Sequence, residues 1–551
     1  MEEQLTAVWN KFQKCKSYIE KKQLVSKTKE NWNFYLGDQW EGIDADGERL
    51  PVLNFIEAVI KYKVAVVSQN VMTATFSDIN SNQDFAELCD VLNKSFSESW
   101  EKAKMDDVLW EVTEAGAVQG DSYAYWGDGD TKKPPKILPN TCVLLGDENE
   151  KDLQKQPFIL IYERLNVEHV KSIAKQNGIS KEDIELITSD DNKELIATNK
   201  DEVEGKVGSV IMLSKNTDGF VEITRSTKHV VYEPTRELRH MRAETGEKLG
   251  SGQKMYPLVN FVWKRVPNNA RGVSEVAQLI PNQIAVNKTI ARRAITVKLT
   301  AYPRIAYNSA ALQNPEDLDK VGAPLEVNGG AESVNQMISY LNATNISQDA
   351  EKLQDALITL TRELAGAGDY ATGNVNPEQA SGQAILAVRD NAQTPLNRQV
   401  AVRSQFVEDV ALLWFDLWTA FSIDNSGNFE IDGEIYPMKF VQELIPSIKI
   451  DVSQDDTWTK TAEQQWIDAI YQKGDMTLEE YVEVSNSNII PKGRFQSMLA
   501  KRQQMIGQMP QDMEMPEEME EPQAEPIPEE LTSGPPEQQP VTGSYYDRIP
   551  L

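Results

Sequence analysis

The sequence is poor in the residues that most often carry chemistry or cross-links. Its 551 positions include three cysteines, Cys15, Cys89 and Cys142, and three histidines, His169, His229 and His240, all far apart. Such spacing argues against a disulfide framework or a zinc site, and it points to a reducing compartment. No run of about 18 uncharged apolar residues is present, which leaves no helical membrane span. Met1-Glu-Glu-Gln-Leu5 lacks the basic-then-apolar order of a secretion signal. Basic residues are outnumbered, 56 against 85 acidic, for a formal charge of −29. A tight static binder of nucleic acid needs the opposite sign, because affinity comes from neutralised phosphates. The acidity suits either a conduit past which a duplex must slide or a large assembly kept soluble by charge, and charge alone does not choose between them.

Catalytic motifs are missing as well. Gly368-Asp-Tyr-Ala-Thr-Gly373 begins like a phosphate loop, but Asn374 and Val375 stand where Lys and Ser/Thr are required, and a helix rather than a strand is expected before it. There is no G-x-S-x-G elbow, H-E-x-x-H, EF-hand pattern or G-x-G-x-x-G. Acidic pairs such as Asp106-Asp107 and Asp455-Asp456 are ordinary in so acidic a chain. The expectation is a protein with no catalytic residues, no cofactor and no metal.

What the chain does have is length for several domains, an apolar fraction of 40% and a middle third with a clear order of parts. A helix is expected over 281–299, with Pro281 in its first turn, Ile284, Ala291, Ala294 and Ile295 on one face, and a basic patch of Lys288, Arg292, Arg293 and Lys298. These cations suit either phosphate contact or pairing with Glu351 or Glu363 of a neighbouring helix. Strand-like segments follow at 303–307 and 324–327, separated by an acidic stretch around Pro315 to Asp319. A second helix runs from about Asn345 to Leu364, with Leu353, Leu357, Leu360 and Leu364 as its stripe, and Gly366 stops it. Residues 366–381 read as a mobile polar loop. A third helix is expected from about Ser381 to Phe421, kinked at Pro395, with a buried apolar face from Phe406 to Phe421.

On either side of this middle third lie an N-terminal helical part and a β-rich section. Helical patterning covers 5–36, an aromatic turn spans Asn33 to Trp40, and further helices follow Asn54 and occupy 82–104 and 106–119. From Asp121 the period changes to two, with strand candidates at 122–126, 136–138, 141–145, 158–163, 209–213, 219–224, 229–232 and 257–263, and a helix over 167–176. Closing strands are expected near 434–440 and 447–452. Amphipathic helices follow at 457–471, from Thr477, and at 491–504. The segment 510–551 has nine prolines and eleven acidic residues against one arginine, a composition that reads as disordered.

The conjunction of these parts with Gly272-Val-Ser-Glu-Val, Pro303-Arg-Ile-Ala, Gly322-Ala-Pro-Leu-Glu-Val, Ser381-Gly-Gln-Ala-Ile, Asn33-Phe-Tyr-Leu-Gly-Asp-Gln-Trp40 and Gly474-Asp-Met-Thr-Leu-Glu-Glu-Tyr481 resembles the portal proteins of tailed double-stranded DNA bacteriophages over roughly the first 505 residues. The resemblance implies a predominantly helical α+β fold. Its parts would be a wing (1–271), a first stem helix (272–299), a clip (300–344), a second stem helix (345–365), a tunnel loop (366–381), a long helix with closing wing strands (382–455), crown helices (456–507) and an acidic tail (508–551). It implies a homo-oligomeric ring of twelve chains at one capsid vertex, in the virion and, during assembly, in the host cytoplasm. Double-stranded DNA would pass through it without sequence preference and without hydrolysis by the chain. Gly366, Gly368, Asp369, Tyr370, Thr372, Gly373 and Asn374 would face that DNA. Arg304, Tyr307, Glu316, Asp317 and Glu326 would dock the large terminase subunit and later a head-tail adaptor. Major capsid and scaffolding proteins are the other implied partners, and no membrane is. A head-tail adaptor or scaffold, or a hydrolase or nuclease with an unrecognised site, remains the alternative.

Overall fold

The computed structural model describes residues 2–41, 50–79, 85–127, 131–190, 205–239, 252–301, 304–307, 312–317, 338–341, 348–366, 394–423, 428–431, 434–437, 446–454 and 466–473, with isolated positions between them. The chain divides into two units, Met1–Asp456 and Thr457–Leu551. In the second, 466–473 form a helix with Trp466 exposed and Ile467 buried; its remaining residues, including the expected later helices and acidic tail, lie outside the described set. The fold mixes helices and strands, as an α+β class requires. No described helix is long and apolar enough to cross a membrane.

The helical patterning over 5–36 forms two helices. Helix α1 (Glu2–Lys21) buries Val8, Phe12, Cys15 and Ile19, whereas α2 (Leu24–Leu36) buries Thr28, Asn31, Phe34 and Tyr35. The break is at Gln23, in the left-handed region at φ 53°. One straight rod cannot serve both contacts, since the α1 stripe packs on Leu144, Leu160, Tyr162 and Val210 and the α2 aromatics join a different core. Helix α3 (Phe55–Ser68) starts where Asn54 Oδ1 accepts the Glu57 amide at 3.3 Å. Strand β1 (Asn70–Asp78) and helices α4 (Ala86–Lys102) and α5 (Met105–Gln119) complete this part.

Two antiparallel sheets follow. Strands β2 (Asp121–Tyr125), β3 (Lys136–Pro139) and β9 (Leu258–Val262) form one in the order β3-β2-β9. Strands β4 (Val143–Leu145), β5 (Phe158–Asn166), β6 (Lys206–Lys215), β7 (Val221–Thr227) and β8 (Val231–Glu237) form a five-stranded meander in sequence order. Alternate residues of β5 and β6 go to opposite sides: Ile159, Ile161, Ile211 and Leu213 join one cluster, and Leu160, Tyr162 and Val210 join the cluster under α1. Both faces are covered, which is why these strands read as nearly continuous apolar runs. Helices α6 (Val167–Gln176) and α7 (Lys181–Glu185) flank the meander. Cys15, Cys89 and Cys142 are all free and buried.

The middle third supplies α8 (Val276–Ala301), β10 (Arg304–Tyr307), β11 (Ile338–Leu341), α9 (Gln348–Leu364) and α10 (Asn397–Phe421). Helix α8 begins five residues earlier than expected, so Pro281 lies inside it. Tertiary anchoring of Val276, Leu279 and Ile280, all buried, outweighs the hydrogen bond that proline removes. Pro395 sits in a 3-10 turn (Thr394–Leu396) directly before α10; the stretch 381–393, on which the expected kink depends, lies outside the described residues. On α10, Phe406, Val410, Leu413, Trp414, Leu417 and Trp418 are buried. The β10 strand pairs with β11, and of the strand expected at 324–327, Pro324 and Glu326 are described and neither is in a strand. Strands β12 (Asn428–Ile431) and β13 (Glu434–Pro437) form a hairpin, and β14 (Pro446–Gln454) pairs with β1 through nine residues, Asn70 opposite Gln454 and Asp78 opposite Pro446.

Candidate functional site

The feature that stands apart is a hairpin of α8, the β10–β11 pair and α9, and its root explains the phrase Gly272-Val-Ser-Glu-Val276. Arg271 is buried and fully engaged: Nε and Nη2 donate to Glu148 at 2.9 Å each, Nη1 to the Asn140 carbonyl and Nη2 to the Val143 carbonyl at 2.7 Å each, with Asp121 Oδ2 3.6 Å away. Burial pushes the Asp121 carboxyl above its ordinary range against the pull of Arg271. Tyr123 Oη donates to that carboxylate at 2.9 Å. Ser274 Oγ accepts the Ala277 amide at 3.3 Å and donates to the Val118 carbonyl at 2.6 Å, capping α8 and tying it to α5. Glu275 meets Lys63 Nζ at 2.5 Å and accepts from Trp263 Nε1 at 3.1 Å. Burial alone would raise the Glu275 carboxyl, but Lys63 prevails and holds it below its ordinary value.

The first half of α8 is bound by buried amides that sequence patterning missed. Gln283 Nε2 donates to the Leu53 carbonyl at 2.7 Å and to Asn287 Oδ1 at 2.9 Å, and Asn287 Nδ2 donates to Gln39 Oε1. Their signal was an amide pair at i, i+4 inside an otherwise apolar stripe with Ile280, Val286 and Ile290. Of the face expected from sequence, Ala291 is buried and Ile284 half-buried, but Ala294 and Ile295 are exposed. The helix leaves the core at about Arg292, and beyond it the side chains described are exposed except Arg293 and Thr296.

Helix α9 returns beside α8. Asn282 Nδ2 donates to Thr361 Oγ1 at 2.9 Å and Arg293 Nη1 to Gln354 Oε1 at 3.0 Å. This register puts Glu363 beside the start of α8, roughly 15 Å along the helix from Arg292 and Arg293 at 1.5 Å per residue. Within one chain that separation keeps Glu363 away from both arginines, and Arg293 donates to an amide. Lys288, Arg292 and Lys298 are exposed. Leu357 and Ile358 pack against the core. Leu353 and Leu360 of the expected stripe are each 56% exposed, and Ile295 and Val297 of α8 are 52% and 65% exposed.

At the far end of the hairpin, Arg304 and Tyr307 lie at the two ends of β10, opposite Leu341 and Ile338, with Tyr307 exposed. Glu316 is exposed in a 3-10 turn (Pro315–Asp317). The organiser of this tip is Asn314. Its Nδ2 donates to Asp317 Oδ2 and to the Pro324 carbonyl, both at 2.9 Å, and its Oδ1 accepts the Glu326 amide at 2.8 Å. The Asn-Pro step at 314–315 was the available turn signal. Of the expected loop, Gly366 is described: it ends α9 at φ 73°, with its amide donating to the Glu363 carbonyl at 2.9 Å. Gly368, Asp369, Tyr370, Thr372, Gly373 and Asn374 lie outside the described residues. Among the described residues, no three His, Cys, Asp or Glu side chains converge as a metal site. Neither a scan against models of protein families nor a search of curated proteins finds a match to this chain.

Proposed function

We propose that the chain is a phage portal protein, a ring-forming channel at one capsid vertex through which double-stranded DNA is packaged and later ejected. The observation that carries this reading is the α8–α9 hairpin. It is rigidly rooted at Arg271 to Glu275, leaves the core at Arg292, and presents Ile295, Val297, Leu353 and Leu360 to solvent. Aliphatic side chains at this exposure on two paired helices are what a repeated subunit interface covers.

In this reading α8 and α9 are the stem, the tip held by Asn314 is the clip that docks the large terminase subunit and then a head-tail adaptor, and 366–381 is the tunnel loop. Twelve copies surround the axis, among major capsid and scaffolding proteins, in the virion and in the host cytoplasm during assembly. The chain holds no cofactor and hydrolyses nothing; the motor supplies the energy. The negative charge favours passage over grip. Lys288 and Arg292, exposed on the hairpin, are the groups available for transient phosphate contact.

Negative-stain imaging of purified full-length chain tests the reading directly. Closed rings with a central hole are expected, and a monomer at every concentration and salt condition defeats it. A second test uses Lys288→Glu with Arg292→Glu, which should assemble normally and fail to retain packaged DNA.

A further inference from the structure

A cleft of about 540 Å³ lies between the α1–α2 turn and the first turns of α8. Tyr18, Leu24, Ile280 and Pro281 give it an apolar lining, and two exposed lysines, Lys22 and Lys27, stand on it. Glu30 is the one carboxylate among the lining residues. The positive end of the α8 dipole opens into the same space. The cleft is thus shaped for an apolar group carried among negative charges.

The first unit displays such a group. Trp110 on α5 is 44% exposed, large for a lone surface aromatic. Asp106 and Asp107 lie four and three residues before it, and Glu111 follows it; all three are exposed. The same helix connects this knob to the cleft, because Gln119 at its C-terminal end is a lining residue. Nine residues at 3.6 per turn separate the two positions by about 180° around the axis and about 14 Å along it. Knob and cleft therefore face opposite flanks of α5. A subunit with complementary features on opposite flanks makes head-to-tail contacts, which close into a ring when the rotation between copies allows it.

We propose that Trp110 of one copy seats in this cleft of the next, with Asp107 and Glu111 facing Lys22 and Lys27. The inference rests on the ring reading and adds the residues that set its order. An aromatic anchor in an apolar pocket with charge on the rim is the arrangement that concentrates binding energy in few residues, and the charges steer encounter and register.

The test uses the full-length chain, sedimentation and imaging. Lys22→Glu with Lys27→Glu should raise the concentration needed for assembly by about thirtyfold, the effect of losing a strong anchor site. Adding Asp107→Lys and Glu111→Lys should restore assembly, which a folding defect would not do. Asp107→Cys with Lys27→Cys, which keeps the Trp110 anchor, should give a covalent ladder under mild diamide oxidation, since the three native thiols are buried. Leu186→Cys with Lys27→Cys, which places the thiol on the exposed Leu186 instead, should not. Rings of normal size that ignore the lysine reversal and fail to cross-link overturn this contact and leave the ring standing. A wild-type chain that never forms rings overturns both.

Discussion

Gly272 and Gly120 meet backbone to backbone. A Cβ on Gly272 would fall 2.0 Å from the Gly120 carbonyl oxygen and 2.7 Å from its carbonyl carbon, while Gly120 itself takes φ 104°. The contact lets the segment leading into α8 lie against the junction of α5 and β2, and Trp263 donates its amide to the same Gly120 carbonyl at 3.0 Å. Gly272→Ala should cost about 3 kcal/mol, the upper end of overpacking effects, because backbone rather than a flexible side chain must yield. Chemical denaturation measures this, and a loss below about 0.5 kcal/mol would show that the backbones are free to separate.

The buried guanidinium of Arg271 balances Glu148 and Asp121. Arg271→Leu leaves two carboxylates in the interior without their cation and should cost about 3–5 kcal/mol. Adding Glu148→Gln and Asp121→Asn should recover a large part of that loss, because the uncompensated charge is then gone. Equal stability of the single and triple variants would refute an electrostatic origin.

Asp416 on α10 accepts the Met255 amide at 2.7 Å and the Lys254 amide at 2.9 Å. Burial nevertheless pushes its carboxyl up to about 6. The native state then binds a proton more tightly than the unfolded chain, whose value is near 3.8. The stabilisation from this group is complete below that lower value and is lost as pH rises through about 6, a swing on the order of 2–3 kcal/mol. Asp416→Asn should therefore look more favourable, relative to wild type, at pH 7.5 than at pH 4. Denaturation at the two pH values decides, and a pH-independent difference is the contrary result. Asp409, raised to about 6 by burial and Glu408, contributes a slope of the same sign.

Leu353 and Leu360 separate stability from assembly. Because both are already exposed, Leu353→Glu with Leu360→Glu should change the unfolding free energy of the dissociated chain by no more than about 0.5 kcal/mol per site. Sedimentation of the same variant should show loss of the oligomer. A matched loss of monomer stability would mean that the hairpin packs against its own chain.

Much of the fold was legible from residue order. The β5 and β6 runs declared strands, Asn54 and Gly366 marked a helix start and a helix end, and the tryptophans of α10 announced a buried face. The misses share one cause. Gln23 carries no breaker signal, and Pro281 reads as a first-turn residue until Ser274 and Glu275 are seen fastened to α5 and Lys63. The pairing of β1 with β14 joins segments more than 360 residues apart, and nothing within either strand names its partner. At the candidate site the hairpin and its basic residues were visible, but Gln283, Asn287 and Asn314 looked like ordinary polar positions.

Residue order alone determined the local matters: which segments coil, which extend, where caps and turns fall, and that the chain is acidic. These depend on neighbours within a few positions, whose hydrogen bonds and side-chain spacing are set along the chain. Only the tertiary structure decided which stripes are covered. It buries Ala291 and leaves Ile295, Leu353 and Leu360 in water, and it brings Arg293 to Gln354. Burial belongs to contacts between distant segments, and the periodicity that predicts an apolar face says nothing about what, if anything, lies against it.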